Sequence, residues 1–329
     1  MSFWRQRNVF VTGCTGFLGS WLTDELIARE ANVVGLIRDM VPQAPFFLRG
    51  LHGRINSVWG SVEDYAVIER ALNEYEIDTV FHLAAQTIVG VANRSPMATF
   101  ETNIRGTWTL LEACRRNEQV SRVVVASSDK AYGQHETLPY TEEAPLKGSH
   151  PYDVSKSCAD LISRTYHNTY GTPVCVTRCG NLFGPGDLNL SRIVPGTICS
   201  ALRDERPVIR SDGSPIRDYV HVKDIVAAYL TLAEHMDDAA IHGSAFNFGT
   251  GEPLSVLDLT RTILRVAGRE DLEPVVLDQV RGEIHHQYLS SRRAETVLGW
   301  RPGAPVAKRL GETVQWYREY FSGRPATTE

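Results

Sequence analysis

Asn8-Val9-Phe10-Val11-Thr12-Gly13-Cys14-Thr15-Gly16-Phe17-Leu18-Gly19 decides the fold. Its first five residues are a β-rich run, and they end at once in Gly-x-x-Gly-x-x-Gly. The periodicity then predicts an amphipathic helix over about 20–29, with Leu22, Leu26 and Ile27 as its apolar stripe. Asn32-Val33-Val34-Gly35-Leu36-Ile37 reads as a second strand. Strand, glycine turn, helix and strand within about 30 residues is the setting in which such glycines serve a dinucleotide. They let the backbone approach a pyrophosphate, and the helix start offers unpaired N–H groups and the positive end of its dipole. Gly13, Thr15, Gly16, Phe17, Leu18 and Gly19 are therefore candidate cofactor contacts.

The alternation continues outward. Helices are predicted over 62–74, 97–116 and 155–170, and strands over 79–85, 122–127 and 174–178. Strands alternating with helices imply a parallel sheet covered on both faces. The fold class is α/β, a Rossmann-type doubly wound sheet. Ligands of such sheets bind beyond the carboxyl ends of the strands. The glycine turn, 82–86, 127–130 and 179–181 all fall on that edge. After Asn181 the pattern loosens, with Pro195, Pro207, Gly213 and Pro215 as punctuation. Residues 1–180 are read as the dinucleotide-binding unit. Residues 218–248 return to the sheet, with 217–222 and a helix over 222–235 rejoining it and a strand over 245–249. Residues 181–217 and 249–329 form a smaller substrate-binding lobe with a helix over 254–267, and 323–329 are expected to fray.

Tyr152 stands four residues before Lys156, so a helix starting near them puts both on one face. A phenol loses its proton near pH ~10, and a neighbouring ammonium favours the phenolate. Reaching neutrality takes roughly 3 pH units, about 4 kcal/mol. A lysine and a positively charged nicotinamide in a dry site are the expected sources. Such a pair acts as a base on a hydroxyl while hydride leaves the same carbon.

Composition narrows the alternatives. The chain has 329 residues, 43% apolar and 22% charged, with a net charge of −5. Neither nucleic acid nor an anionic membrane surface is an expected partner. No apolar run approaches the ~18 residues of a membrane span, and the N-terminus runs straight into a strand, so a cytoplasmic protein is expected. Six cysteines form no Cys-x-x-Cys and are read as reduced core thiols, with no metal site expected.

Gly13-x-x-Gly16-x-x-Gly19, His82-Leu83-Ala84-Ala85-Gln86, Asn103 and Tyr152-x-x-x-Lys156 together resemble the extended short-chain dehydrogenase/reductase superfamily along nearly the whole chain. The resemblance implies tightly bound NAD or NADP and a nucleotide-diphosphate sugar as substrate. It places Ser128 on the reacting hydroxyl. It adds Ser61, Val62, Leu83, Ala84, Ala85, Gln86 and Asn103 to the cofactor contacts, with Gln86 also facing substrate. At the end of the second strand Asp39 suits the ribose hydroxyls of NAD and Arg38 the extra phosphate of NADP; NAD is preferred. Asn181, Arg217 and Arg281 resemble positions that hold the diphosphate or the sugar, where a guanidinium fork suits phosphate oxygens, and Arg192 is a further candidate from the same lobe. Helices over 97–116 and 155–170 resemble those that pair two subunits, implying a homodimer.

Ser128-Asp129-Lys130 narrows the resemblance to sugar-nucleotide 4,6-dehydratases, of which the CDP-glucose branch carries Asp-Lys. Asp129 is then the acid that releases water, provided burial raises its pKa. Lys130 is either the C5 base, if desolvation lowers its pKa, or a cation beside the enolate. Two other readings stand beside this one. The first is an epimerase or decarboxylase on the same scaffold, with Asp129 and Lys130 structural. The second is a non-catalytic NAD(P)-binding regulator, against which the intact Tyr152/Lys156 pair argues.

Overall fold

A computed structural model of the chain describes residues 2–279 and 284–323. Arg281 and residues 324–329 of the tail expected to fray lie outside the described residues.

Seven parallel strands form the main sheet: β1 (Asn8–Thr12), β2 (Asn32–Ile37), β3 (Asn56–Trp59), β4 (Thr79–His82), β5 (Arg122–Ala126), β6 (Val174–Cys179) and β7 (Ala245–Phe248). Their order is 3-2-1-4-5-6-7. The chain starts in the middle, builds outward to β3, then reverses through β4 to β7. A crevice therefore opens between the ends of β1 and β4.

Alternate side chains of each strand point to opposite faces, and both faces are apolar. Val9, Val11, Phe81 and Val124 meet helices α1 (Phe17–Ala28) and α5 (Val222–His235) on one side. Phe10, Val80, Val123 and Val125 meet α2 (Tyr65–Glu74) and α3 (Gly106–Arg116) on the other. Helix α4 (Pro151–Tyr170) lies beside α3, with Ile162 and Tyr166 against that core. Three further helices, Ile193–Leu202, Val256–Val266 and Val306–Phe321, close around Val194, Ile198, Leu259, Ile263, Leu310 and Val314. This is a second core, built from two separate stretches of chain. Among the described residues no helix is long and apolar enough to cross a membrane.

Several expected boundaries move, each for a local reason. Helix α4 starts at Pro151, not Ser155; proline suits the first helical position because its φ is preset and no N–H is wasted. Tyr152 is thereby inside the helix with Lys156. Helix α2 starts at Tyr65, not Val62, because the Asp64 carboxylate accepts from the N–H groups of Ala66 and Val67. The helix expected over 97–116 is assembled from Pro96–Phe100, a π-helical turn at Glu101–Arg105, and α3. The segment Tyr219–His221 does not rejoin the main sheet. It pairs in parallel with Asn181–Phe183 as a separate ribbon. Leu254-Ser255 is a short strand before its helix, pairing with Ile216-Arg217.

Candidate active site

A cavity of 1210 Å³ opens over the carboxyl ends of β1, β2, β4, β5 and β6. That exceeds the roughly 300–1,000 Å³ of a site for one small molecule, so there is room for two ligands end to end. At one end the glycine turn wraps the start of α1. Gly13 has φ +72°, and a Cβ there would stand 2.7 Å from the Ala84 nitrogen. A methyl on Gly19 would overlap the Gly13 carbonyl. No side chain caps α1 and its first turn holds no acid. Its free N–H groups face the cavity beside Phe17 and Leu18, a fit for a pyrophosphate.

Thr15, Gly16, Arg38, Asp39, Ser61, Val62, Leu83, Ala84 and Ala85 also line this end. The Arg38 Nε donates to Asp39 Oδ2 at 2.6 Å, and both side chains are exposed. His82 supports the wall from behind. Thr107 Oγ1 donates to the Asn103 carbonyl at 2.6 Å, so it accepts from His82 Nε2 at 3.0 Å. The other ring nitrogen then accepts from Thr12 Oγ1 at 2.8 Å. Burial holds His82 down to about 3, so the ring is neutral and works as a brace.

Two expected ligand contacts are otherwise employed. Asn103 is 1% exposed and lines no part of the cavity. Its Oδ1 accepts from the Gln86 N–H at 2.7 Å, and its Nδ2 donates to the Gln86 carbonyl at 3.1 Å and to Ser155 Oγ at 2.8 Å. Gln86 does not line the cavity either. Its side-chain oxygen accepts from the Ile88 N–H at 2.8 Å, turning the amide back on its own loop. The π-helical turn is what carries Asn103 across to that loop.

At the other end β5 and α4 bring the reactive groups together. Ser128, Asp129, Lys130, Tyr152 and Lys156 all line the cavity. Lys156 Nζ donates to the Ala126 carbonyl at 2.8 Å, and burial lowers its pKa to about 8. Burial pushes the Tyr152 phenol up to about 12, while a hydrogen bond with Ser128 and the charge of Arg192 pull it back. Within the protein alone desolvation wins, so without the nicotinamide charge the phenol stays protonated at neutral pH. Ser128 Oγ donates to Asp129 Oδ1 at 3.1 Å. Asp129 is 2% exposed, and its Oδ2 has no hydrogen-bond partner. Burial raises its pKa against the opposing pull of Lys130. A protonated carboxyl gives that oxygen a proton to donate, so burial here favours the acid form.

Asn181, Arg192 and Arg217 line the far wall, Arg192 paired with Asp187 at 3.0 Å. Cys179 lines the cavity from the strand end already placed on that edge, and residues that the motifs do not point to join it: Tyr229, Arg210, His150 and Asp153. His150 and Asp153 flank Tyr152 in sequence, which is the signal that could have found them. Arg210 and Tyr229 are brought in by tertiary packing alone.

Known proteins resemble this chain along nearly its whole length. The CDP-glucose 4,6-dehydratase of Salmonella typhimurium is 30% identical over 337 residues, covering 98% of this chain and 93% of that protein. The dTDP-glucose 4,6-dehydratase of Streptomyces venezuelae, solved with NAD bound, superposes with a TM-score of 0.83 at 29% identity, covering 96% of this chain and 98% of the other. A UDP-glucose 4-epimerase from Thermotoga maritima, solved with UDP-glucose, superposes with a TM-score of 0.86 at 29% identity, covering 95% and 99%. The model of the NAD dependent epimerase/dehydratase family matches residues 9–249, and the chain belongs to that family.

Proposed function

We propose that the protein is a sugar-nucleotide 4,6-dehydratase that holds NAD and converts an NDP-hexose, CDP-glucose-like, to the NDP-4-keto-6-deoxyhexose. One observation carries this reading: a buried carboxyl with an unpartnered oxygen, Asp129, shares a cavity wall with Lys130, Tyr152 and Lys156. Oxidation and reduction at one carbon need only the last two. An acid aimed into the site is what elimination of water adds.

The glycine turn and the start of α1 would hold the pyrophosphate of NAD, and Asp39 the ribose. Bound NAD supplies a positively charged hydride acceptor that gives the hydride back to the same sugar. Tyr152 takes the C4 hydroxyl proton, with Ser128 hydrogen-bonded to that hydroxyl. Burial opposes the phenolate, so the proton leaves only as positive charge gathers beside it, and Lys156 contributes to that charge. The new C4 ketone acidifies C5–H. Lys130 faces C5 and, as the neutral amine, takes the C5 proton; the ammonium so formed is the cation beside the enolate. Asp129 protonates the departing C6 hydroxyl. Arg192, Arg217 and Asn181 hold the diphosphate and sugar from the smaller lobe, formed by 181–217 and 249–329. Met97 on the Pro96–Phe100 helix, Trp108 on α3 and Leu161 on α4 are exposed apolar side chains, and we assign that face to a homodimer.

The likeness to a 4-epimerase supports a second reading, in which Asp129 and Lys130 only shape the wall. Mass spectrometry of products from CDP-, GDP-, UDP- and dTDP-hexoses separates the two. Loss of one water without net cofactor reduction is expected. A product of unchanged mass and altered stereochemistry would make the protein an epimerase.

A further inference from the structure

Gln287 comes from a distant part of the chain and supports the Asp129–Lys130 turn that lines the cavity. It is fully buried. Its Oε1 accepts from Lys130 Nζ at 2.5 Å, and its Nε2 donates to the Asp129 carbonyl at 2.7 Å. Chemistry fixes which way the amide points. The lysine bears N–H groups to give, and the carbonyl can only accept, so the oxygen must face Lys130. The backbone around Gln287 is anchored on two sides. His286-Gln287 pairs in parallel with Ile216-Arg217, Gln287 opposite Arg217. One residue on, the Tyr140 N–H donates to the Tyr288 carbonyl at 2.9 Å, and the Ser290 N–H donates to Tyr140 at 2.9 Å. Gln287 therefore stands on a held strand beside a candidate diphosphate arginine, with both amide ends spent on the Asp129–Lys130 turn.

We propose that Gln287 is a positioning residue: its amide clamps Lys130 against the Asp129 backbone and so sets both groups relative to C5 and C6 of the sugar. The catalytic part of this claim rests on the dehydratase reading; the clamp itself does not. A neutral amide serves where a carboxylate would not. It satisfies the lysine N–H without adding negative charge beside Asp129, which works as an acid only while protonated.

The test uses Gln287→Met, which keeps size and loses both bonds, and Gln287→Glu, which keeps an acceptor toward Lys130 and adds charge. In steady-state dehydration, Gln287→Met is expected to lower kcat about 10²-fold, the scale of a misplaced catalytic group. KM stays as it is, and reduced cofactor accumulates because only elimination is slowed. In a Lys130→Met background the same substitution is expected to cost less, because only the bond to the Asp129 carbonyl is then lost. An equal loss in both backgrounds overturns the proposal. The second readout needs no turnover. The full-length protein is labelled briefly with acetic anhydride, and the modification of Lys130 is measured by peptide mass spectrometry relative to exposed Lys147. Labelling is expected to rise in Gln287→Met and to fall in Gln287→Glu, where an ion pair holds the ammonium. Unchanged labelling, or shifts of the same sign in both variants, overturns the clamp. Wild-type protein that dehydrates no sugar nucleotide refutes the function reading, and the labelling ratio still decides Gln287.

Discussion

Replacing Asn103 with leucine tests the clamp on the β4 loop. The side chains are similar in size, so the change removes hydrogen bonds more than volume. Two backbone groups of Gln86 lose their partners: the N–H held at 2.7 Å and the carbonyl held at 3.1 Å. Leaving a buried polar group unpaired costs ~1–3 kcal/mol. Gln86 is only partly buried, so ~1.5 kcal/mol each is apt, or about 3 kcal/mol together. Ser155 adds little, because its hydroxyl keeps its bond to the Tyr152 carbonyl at 2.7 Å. Urea unfolding followed by tryptophan fluorescence should show a lower midpoint with an unchanged slope. NAD titration should show weaker binding, since Ala84, Ala85 and Thr87 on the loosened loop line the cavity. Gln86→Ala should stay within about 0.5 kcal/mol and bind NAD normally, because its side chain bonds only to its own loop. The reasoning is refuted if the two variants exchange these behaviours.

Asp129→Asn keeps the shape and removes the acid, so dehydration should fall by about 10²–10⁴-fold while single-turnover hydride transfer from C4 persists. Wild-type dehydration should also decline with alkali at a pH above the ordinary carboxylate range, following the raised Asp129 pKa; that limb should be missing from the variant's residual rate. Lys156 titrates near 8 when folded against 10.5 when free, so its charge is a cost below pH 8 that is relieved as pH rises to 10.5. Relative to Lys156→Met, the wild type should therefore gain about 3 kcal/mol of unfolding free energy across that window, read from urea midpoints; a constant difference would refute it. Trp108→Glu with Leu161→Glu should convert the protein to a monomer in light scattering, and a dimer that survives both charges would place the interface elsewhere.

Much of the sheet was legible in the sequence because its signals are local. The bounds of β1 and β2 follow directly from their apolar runs and the glycine turn between them. Tyr152 and Lys156 declare themselves by spacing on one helix. What local signals miss is any partnership formed across the chain. Gln86 and Asn103 carry the right residue types for ligand contacts, yet 17 positions apart they satisfy each other through a π-helical turn that no periodicity announces. Gln287 lies 157 positions from Lys130 on a two-residue strand, too short to have a pattern. The burial of Tyr152 is hidden for a related reason. Spacing places a lysine nearby but says nothing about how much water the fold removes.

The smaller core has a consequence for synthesis of the chain. Val194 and Ile198 pack against Leu310, Val314 and Tyr317, more than a hundred positions later. Between them the chain leaves the lobe to lay down α5 and β7 in the main sheet. A ribosome making ~5–20 residues per second therefore holds an unfinished lobe for several seconds. Throughout that interval the helix Ile193–Leu202 offers its apolar side to whatever is near. The main sheet can close before the lobe does, so truncation within the last helix should leave a folded dinucleotide unit carrying a sticky, chaperone-dependent appendage.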